Sequence, residues 1–263
     1  MIDTTAKSRF SIKQLTVIYT VVSLLSLLVV WELVARFTSA SMFLPPASQV
    51  LANFFKSFVE PVGKHTMLYH IGISLYRVAV AFALATVAGI ALGVGMGYSR
   101  IFEAIFKPIF EFIRPIPPLA WIPLMILWFG IGYGAKVAII FISAMIACVV
   151  NSYAGIKQTR QVHIWVAQTF AASDLQVLLR VALPTAWPMI FTGLKTSLGS
   201  AWMALVAAEL LASTSGLGYM IQMARQMGRA DIIVVGMIVI GLIGAALSAL
   251  LDLLAKKLVK RRN

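Results

Sequence analysis

Four ionisable side chains stand inside apolar runs of this sequence: Arg77, Arg114, Lys195 and Glu209. A charge at bilayer depth costs on the order of 2.5–3.5 kcal/mol on insertion scales, so each must find water, an opposite charge or a solute. Lys195 and Glu209 are fourteen residues apart, close to four helical turns, and so share one helix face. Gly199 and Trp202 lie near the same face. A face carrying Lys, Glu and small residues suits a water-filled cavity or a seam between subunits better than lipid. Arg77 has the further option of snorkelling its charge to the outer surface. The chemistry these residues offer is ion pairing or solute handling, with no bond made or broken.

Covalent chemistry finds little support. His65, His70 and His163 are scattered, and Cys148 is the single cysteine, inside an apolar run. Neither a metal site nor an intrachain disulfide is expected. No G-x-x-x-x-G-K-[ST] phosphate loop occurs, and "GLKTS" at Gly193 lacks the spacing. The chain therefore has no visible means to hydrolyse ATP and no cofactor of its own.

The elements that hold these residues are membrane spans. Of 263 residues, 60% are hydrophobic and only 12% charged, with a mean hydropathy of +0.93. Soluble domains carry about 25% charged residues. Each span needs roughly 20 apolar residues, which this length supplies about six times. The net charge of +13 falls in short clusters between apolar runs, with no basic face interleaved with aromatics. That is the pattern of loops at a membrane surface and excludes nucleic acid as partner.

The apolar runs place spans at about residues 15–37, 73–98, 101–130, 135–154, 186–211 and 232–254. The first follows Lys7, Arg9 and Lys13 as a signal peptide would, but it is long for one, and Thr38, Ser39 and Ala40 only weakly imitate a cleavage site. Between spans one and two, Val50, Leu51, Phe54, Phe55 and Phe58 form a stripe that predicts an amphipathic interfacial helix. Gly89, Gly93 and Gly97 give span two a smooth strip for close helix packing. Pro115, Pro117, Pro118 and Pro123 break span three, because proline lacks an N–H and clashes with the preceding turn. Such a break survives only against protein or a water-filled cavity, so it faces the bundle interior. Both termini are basic, and an even span count puts them on one side, the cytoplasm by the positive-inside rule. Arg100, Lys157, Arg160 and Arg180 follow them inside, while Lys136, Arg225 and Arg229 fall outside.

One segment does not fit a span. "WVAQTFAASDLQVLLRVALP", residues 165–184, is too polar to cross a bilayer, yet Val166, Phe170, Val177, Leu178 and Val181 give it apolar faces as one or two short helices. It reads as stopping at Leu183-Pro184, before span five. Apolar faces on a cytoplasmic loop serve either packing on the chain's own core or docking on a partner.

Here the sequence resembles the transmembrane subunits of bacterial ABC importers. Their cytoplasmic loop reads roughly Glu-Ala-Ala, three residues, Gly, nine residues, Ile, one residue, Leu-Pro. Leu183, Pro184 and Ala167 match it, Val181 stands at the Ile position, Trp165 replaces the acidic residue and Ala171 replaces the glycine. "FLPPASQV", "RPIPPLAWIPLMILWFGIG", "NSYAGIK", "TGLKTSLGSAW" and "VAAELLASTSGLGYMI" resemble, in order, the nitrate/sulfonate/taurine/bicarbonate branch. The second and last of these resemble taurine permease subunits in particular.

The resemblance implies an all-α membrane protein of about six transmembrane helices, a type I ABC importer transmembrane domain in the bacterial inner membrane. It implies residues 1–69 as an N-terminal helix and amphipathic periplasmic segment, 70–255 as the core with a coupling helix at 160–184, and 256–263 as a basic cytoplasmic tail. Two copies would form the pathway for a small solute such as taurine, with Arg77, Arg114, Lys195, Trp202 and Glu209 as pathway or dimer-seam candidates. Two ATP-binding subunits, which bind ATP and Mg, would seat Ala167, Ala171, Ser173, Leu178, Leu183 and Pro184, and a periplasmic solute-binding protein would deliver the solute. A secondary transporter of a small anion is the alternative: it also has kinked helices and midplane charges but needs no docking segment. A non-transporting scaffold would have no use for the proline-broken span.

Overall fold

Proline and glycine decide where these helices stop and how closely they approach. The computed structural model describes residues 12–38 and 43–260. Lys7, Arg9, Ser39 and Ala40, used above for topology and processing, lie outside the described residues, as do Arg261 and Arg262 of the basic C-terminal end. Eleven α-helices follow in order among the described residues: α1 Ile12–Phe37, α2 Ala47–Lys56, α3 Met67–Tyr98, α4 Arg100–Ile113, α5 Ile122–Phe129, α6 Tyr133–Lys157, α7 Gln161–Thr169, α8 Asp174–Val177, α9 Leu183–Ala212, α10 Leu217–Gln226 and α11 Ala230–Lys260. No strand occurs among the described residues.

Five segments are long and apolar enough to cross a membrane: Leu15–Phe37, Met67–Tyr98, Tyr133–Lys157, Asp174–Leu211 and Ala230–Lys256. A sixth span forms if Arg100–Ile113 and Pro118–Phe129, bent by 88°, are taken together. The bend falls on the predicted proline break, where Pro118–Trp121 forms a 3-10 turn. Six spans therefore stand only with one of them broken.

The core is α3, α6 and α9 side by side. A Cβ added at Gly93 would lie 2.6 Å from the carbonyl oxygen of Val149 on α6, and one at Gly97 would lie 2.7 Å from Ile156 Cβ. The glycine strip of α3 is thus the surface on which α6 rests. The interfacial stripe divides: Val50 is buried and Phe54 and Phe58 pack against the core, whereas Leu51 and Phe55 point outward. Asn53 on α2 donates to Asp231 on α11 at 2.8 Å, so α2 is fastened to the bundle.

One expected boundary shifts. Helix does not stop at Leu183-Pro184: α8 passes through a π-helical stretch, Leu178–Ala182, directly into α9. The wider turn relieves the clash that the Pro184 ring would make with the carbonyl four residues earlier, so the proline is carried rather than obeyed. At the other end, α11 runs on through the 255/256 boundary to Lys260 without a break.

Candidate functional site

The candidate residues sort into three main environments. The first is a sealed polar cluster. Arg77, from α3, is 5% exposed and Glu209, from α9, 1% exposed. An Arg77 Nη1 N–H donates to Glu209 Oε1 at 2.6 Å. Ser74 Oγ donates to the same carboxylate at 2.9 Å, and the Gly218 amide donates to Oε2 at 3.0 Å. Arg77 also reaches the Ser215 carbonyl at 2.7 Å and its hydroxyl at 2.9 Å. The Gly216 and Leu217 amides donate to His70 Nδ1 and Ser74 Oγ. Glu209 therefore places a negative charge at the N-terminus of α10, where the helix dipole and free amides favour it. Gly216, at φ +113°, makes this possible, since any Cβ there would collide with the Glu209 carboxylate.

The expected face on α9 divides among different surroundings. Glu209 has no surface to offer a cavity or a second copy, and Arg77 is paired inside the subunit rather than snorkelling. Lys136, placed by span counting in an outer loop, is 3% exposed within α6. Lys195 is half-exposed and paired with Asp252 of α11. Trp202 is buried and donates its indole N–H to the Ile240 carbonyl at 3.1 Å, packing α9 on α11. Fourteen residues align Lys195 and Glu209 on one helix, but different neighbours cover its two ends.

The second environment is a cavity of about 820 Å³ between the proline break, α6 and α9. Arg114, exposed at the end of α4, supplies its positive charge, and Ser143, Asn151, Thr196 and Ser200 supply polar groups. Apolar surface makes up most of the remainder, including Leu119, Ala147 and Met203. Arg114 alone is ionisable among the described lining residues. Such a chamber can hold a small hydrated or anionic solute but has no nucleophile paired with a base.

The third is the polar segment between α6 and α9. Ser173 and Gln176 form a capping box, with Gln176 N to Ser173 Oγ at 3.4 Å and Ser173 N to Gln176 Oε1 at 3.0 Å. Tyr98, at the end of α3, donates to the Asp174 carbonyl at 2.6 Å and ties the segment to the bundle. Between α7 and α8, Ala171 adopts φ +56°, the left-handed region, alone among the described non-glycine residues. Phe170 is 82% exposed, and Trp165, Val166, Leu175 and Leu179 are each more than half exposed. Leu178, Leu183 and Ala167 are half-buried, and Leu178 packs with Ile156, Ala182 and Ala186 inside the subunit. Pro184 is half-buried, while Ala171 and Ser173 are exposed.

Residues 85–263 match the family described as binding-protein-dependent transport system inner membrane component. The chain belongs to that family. It is 40% identical over 235 residues to the taurine transport system permease protein TauC of Escherichia coli, covering 88% of this chain and 85% of that protein. The nitrate import permease protein NrtB of Leptolyngbya laminosa is 34% identical, with 91% and 87% covered. The putative aliphatic sulfonates transport permease protein SsuC of Bacillus subtilis is 33% identical, with 90% and 85% covered. Among solved structures, a chain of the MetNI methionine ABC transporter in an inward-facing conformation aligns with a TM-score of 0.55 and 18% identity, over 68% of this chain and 91% of that one. At that identity it supports the fold alone, a type I ABC importer transmembrane domain.

This ABC importer permease is thus a multi-pass inner-membrane protein. Sequence reasoning about it missed Ser74, Ser215 and Asp252, partners of Glu209, Arg77 and Lys195 respectively. Two serines and one aspartate near apolar runs carry no periodic signal. Only the pairing across helices reveals them.

Proposed function

We propose that two copies of this permease form the pathway for a small sulfonate such as taurine, driven by two separate ATP-binding subunits and supplied by a periplasmic solute-binding protein. The observation that carries this reading is the 820 Å³ cavity, whose one ionisable lining residue, among those described, is the cation Arg114. A fixed positive charge in a chamber with hydroxyl and amide groups favours a small anion. The 40% identity to a taurine permease over most of both chains directs the choice to a sulfonate. In this reading residues 160–184 face the cytoplasm together with both termini. Their exposed Trp165, Phe170 and Leu179 meet the ATP-binding subunit, which holds ATP and Mg, and Ala171 and Ser173 shape the surface they sit on.

The test is uptake into vesicles containing the permease with its ATP-binding subunits and solute-binding protein. Taurine uptake that requires ATP and both partners is the expected result. Uptake of nitrate or bicarbonate with no uptake of taurine moves the substrate within the same branch. Uptake that continues without any ATP-binding subunit would return the chain to the secondary-transporter alternative.

A further inference from the structure

Leu119 lines two chambers at once. One is the cavity bearing Arg114. The other is a pocket of about 400 Å³ toward the α10 end of the bundle, lined also by Gln222 and Arg225 of α10. The two share a wall as well. On α9 the first is lined by Thr196, Gly199, Ser200, Met203 and Ala204, and the second by Ala207, Leu210 and Leu211. Those positions recur at steps of three and one, so they form one helical face about 22 Å long. The face changes character along its length. Thr196 and Ser200 make its first part polar, and from Met203 to Leu211 it is wholly apolar. Leu119, 51% exposed on the 3-10 turn that packs against α9, is the lining residue the two chambers share.

We infer that the two chambers are successive stations of one track along α9, and that Leu119 is the barrier between them. An apolar constriction stops hydrated solutes by excluding water, without a tight steric seal. Arg225 and Gln222 would receive a small anion on the α10 side, and Arg114 would receive it beyond Leu119. The proline break explains why the barrier sits here. Pro117 and Pro118 hold a short 3-10 turn across the bundle, aiming a single leucine where a continuous helix would present a whole face. This inference rests on the pathway reading above but does not depend on which anion moves.

Thiol accessibility tests it in the assembled, nucleotide-free importer. Thr196→Cys reports the first chamber and Gln222→Cys the second, and the native Cys148 is buried. A membrane-impermeant methanethiosulfonate applied on the α10 side should label Gln222→Cys quickly and Thr196→Cys slowly. Adding Leu119→Ala should speed labelling of Thr196→Cys from that side on the order of ten-fold, as expected for a wetted constriction. Leu119→Trp should not. Unchanged rates in both Leu119→Ala and Leu119→Ala/Met203→Ala would overturn the barrier, as would fast labelling of Thr196→Cys with Leu119 intact. If labelling follows Leu119 while no sulfonate is taken up, the barrier stands and the substrate assignment falls.

Discussion

The Arg77 guanidinium and the Glu209 carboxylate meet at 2.6 Å across α3 and α9, both almost wholly buried. Gly218 completes the carboxylate's shell from α10. One acidic side chain thereby fastens three helices. All the hydrogen bonds it makes here lie inside the subunit.

Removing one member of a buried pair leaves the other uncompensated, at about 3–5 kcal/mol. Glu209→Ala should therefore lower the thermal midpoint of the detergent-solubilised permease sharply and reduce its folded yield. Arg77→Met/Glu209→Leu should recover part of the loss. An unchanged midpoint in Glu209→Ala would remove the fastening role.

Helix approach gives a second prediction. Gly93→Val would drive a side chain into the Val149 carbonyl, at 2.6 Å for Cβ alone. Overpacking of this kind costs about 1–3 kcal/mol. Lower thermal stability is expected, and by contrast Gly72→Ala, with open space around it, should be near neutral.

Ala171 offers a gain. A left-handed backbone costs an L-residue roughly 1–2 kcal/mol, and glycine avoids it at some entropic expense in the unfolded chain. Ala171→Gly should keep or modestly raise stability while uptake persists; Ala171→Val should lower both. Equal midpoints for Gly and Val would show that the strain at φ +56° is not felt.

Docking is tested with the exposed residues. Phe170→Asp/Leu179→Asp should release the ATP-binding subunit during affinity purification and leave the permease in the membrane. Leu178 is unsuitable because it packs inside the subunit. Recovery of an intact complex with normal coupled ATPase activity would reject this surface.

Much of this architecture was legible in the sequence because it is written in local periodicity. The glycine strip needs only a four-residue repeat, and the break in the third span needs only four prolines. The resemblance sets Ala171 at a glycine position, but alanine itself gives no sign of the left-handed backbone, φ +56°, found there. Pairing across helices was not legible. Arg77 and Glu209 are 132 residues apart, and no repeat within either helix records which neighbour it meets. Lys195 and Glu209 do share a helical phase, but phase alone does not tell that Asp252 covers one end and Arg77 the other. Nor could Leu183-Pro184 announce continuity, since a proline signals a stop unless the turn before it widens.

That continuity has a mechanical consequence. From Asp174 to Leu211 the chain is one unbroken rod of 38 residues, about 57 Å long at helical rise. Its near end carries the exposed segment and its far end carries Glu209. A rod of that length tilted by about 10° sweeps its tip by roughly 10 Å. A push at Leu179 would therefore be amplified at α10 by leverage alone. The widened turn at Leu178–Ala182 is the place where such a rod can flex, so stiffness there, rather than affinity at either end, would set how much of each stroke arrives.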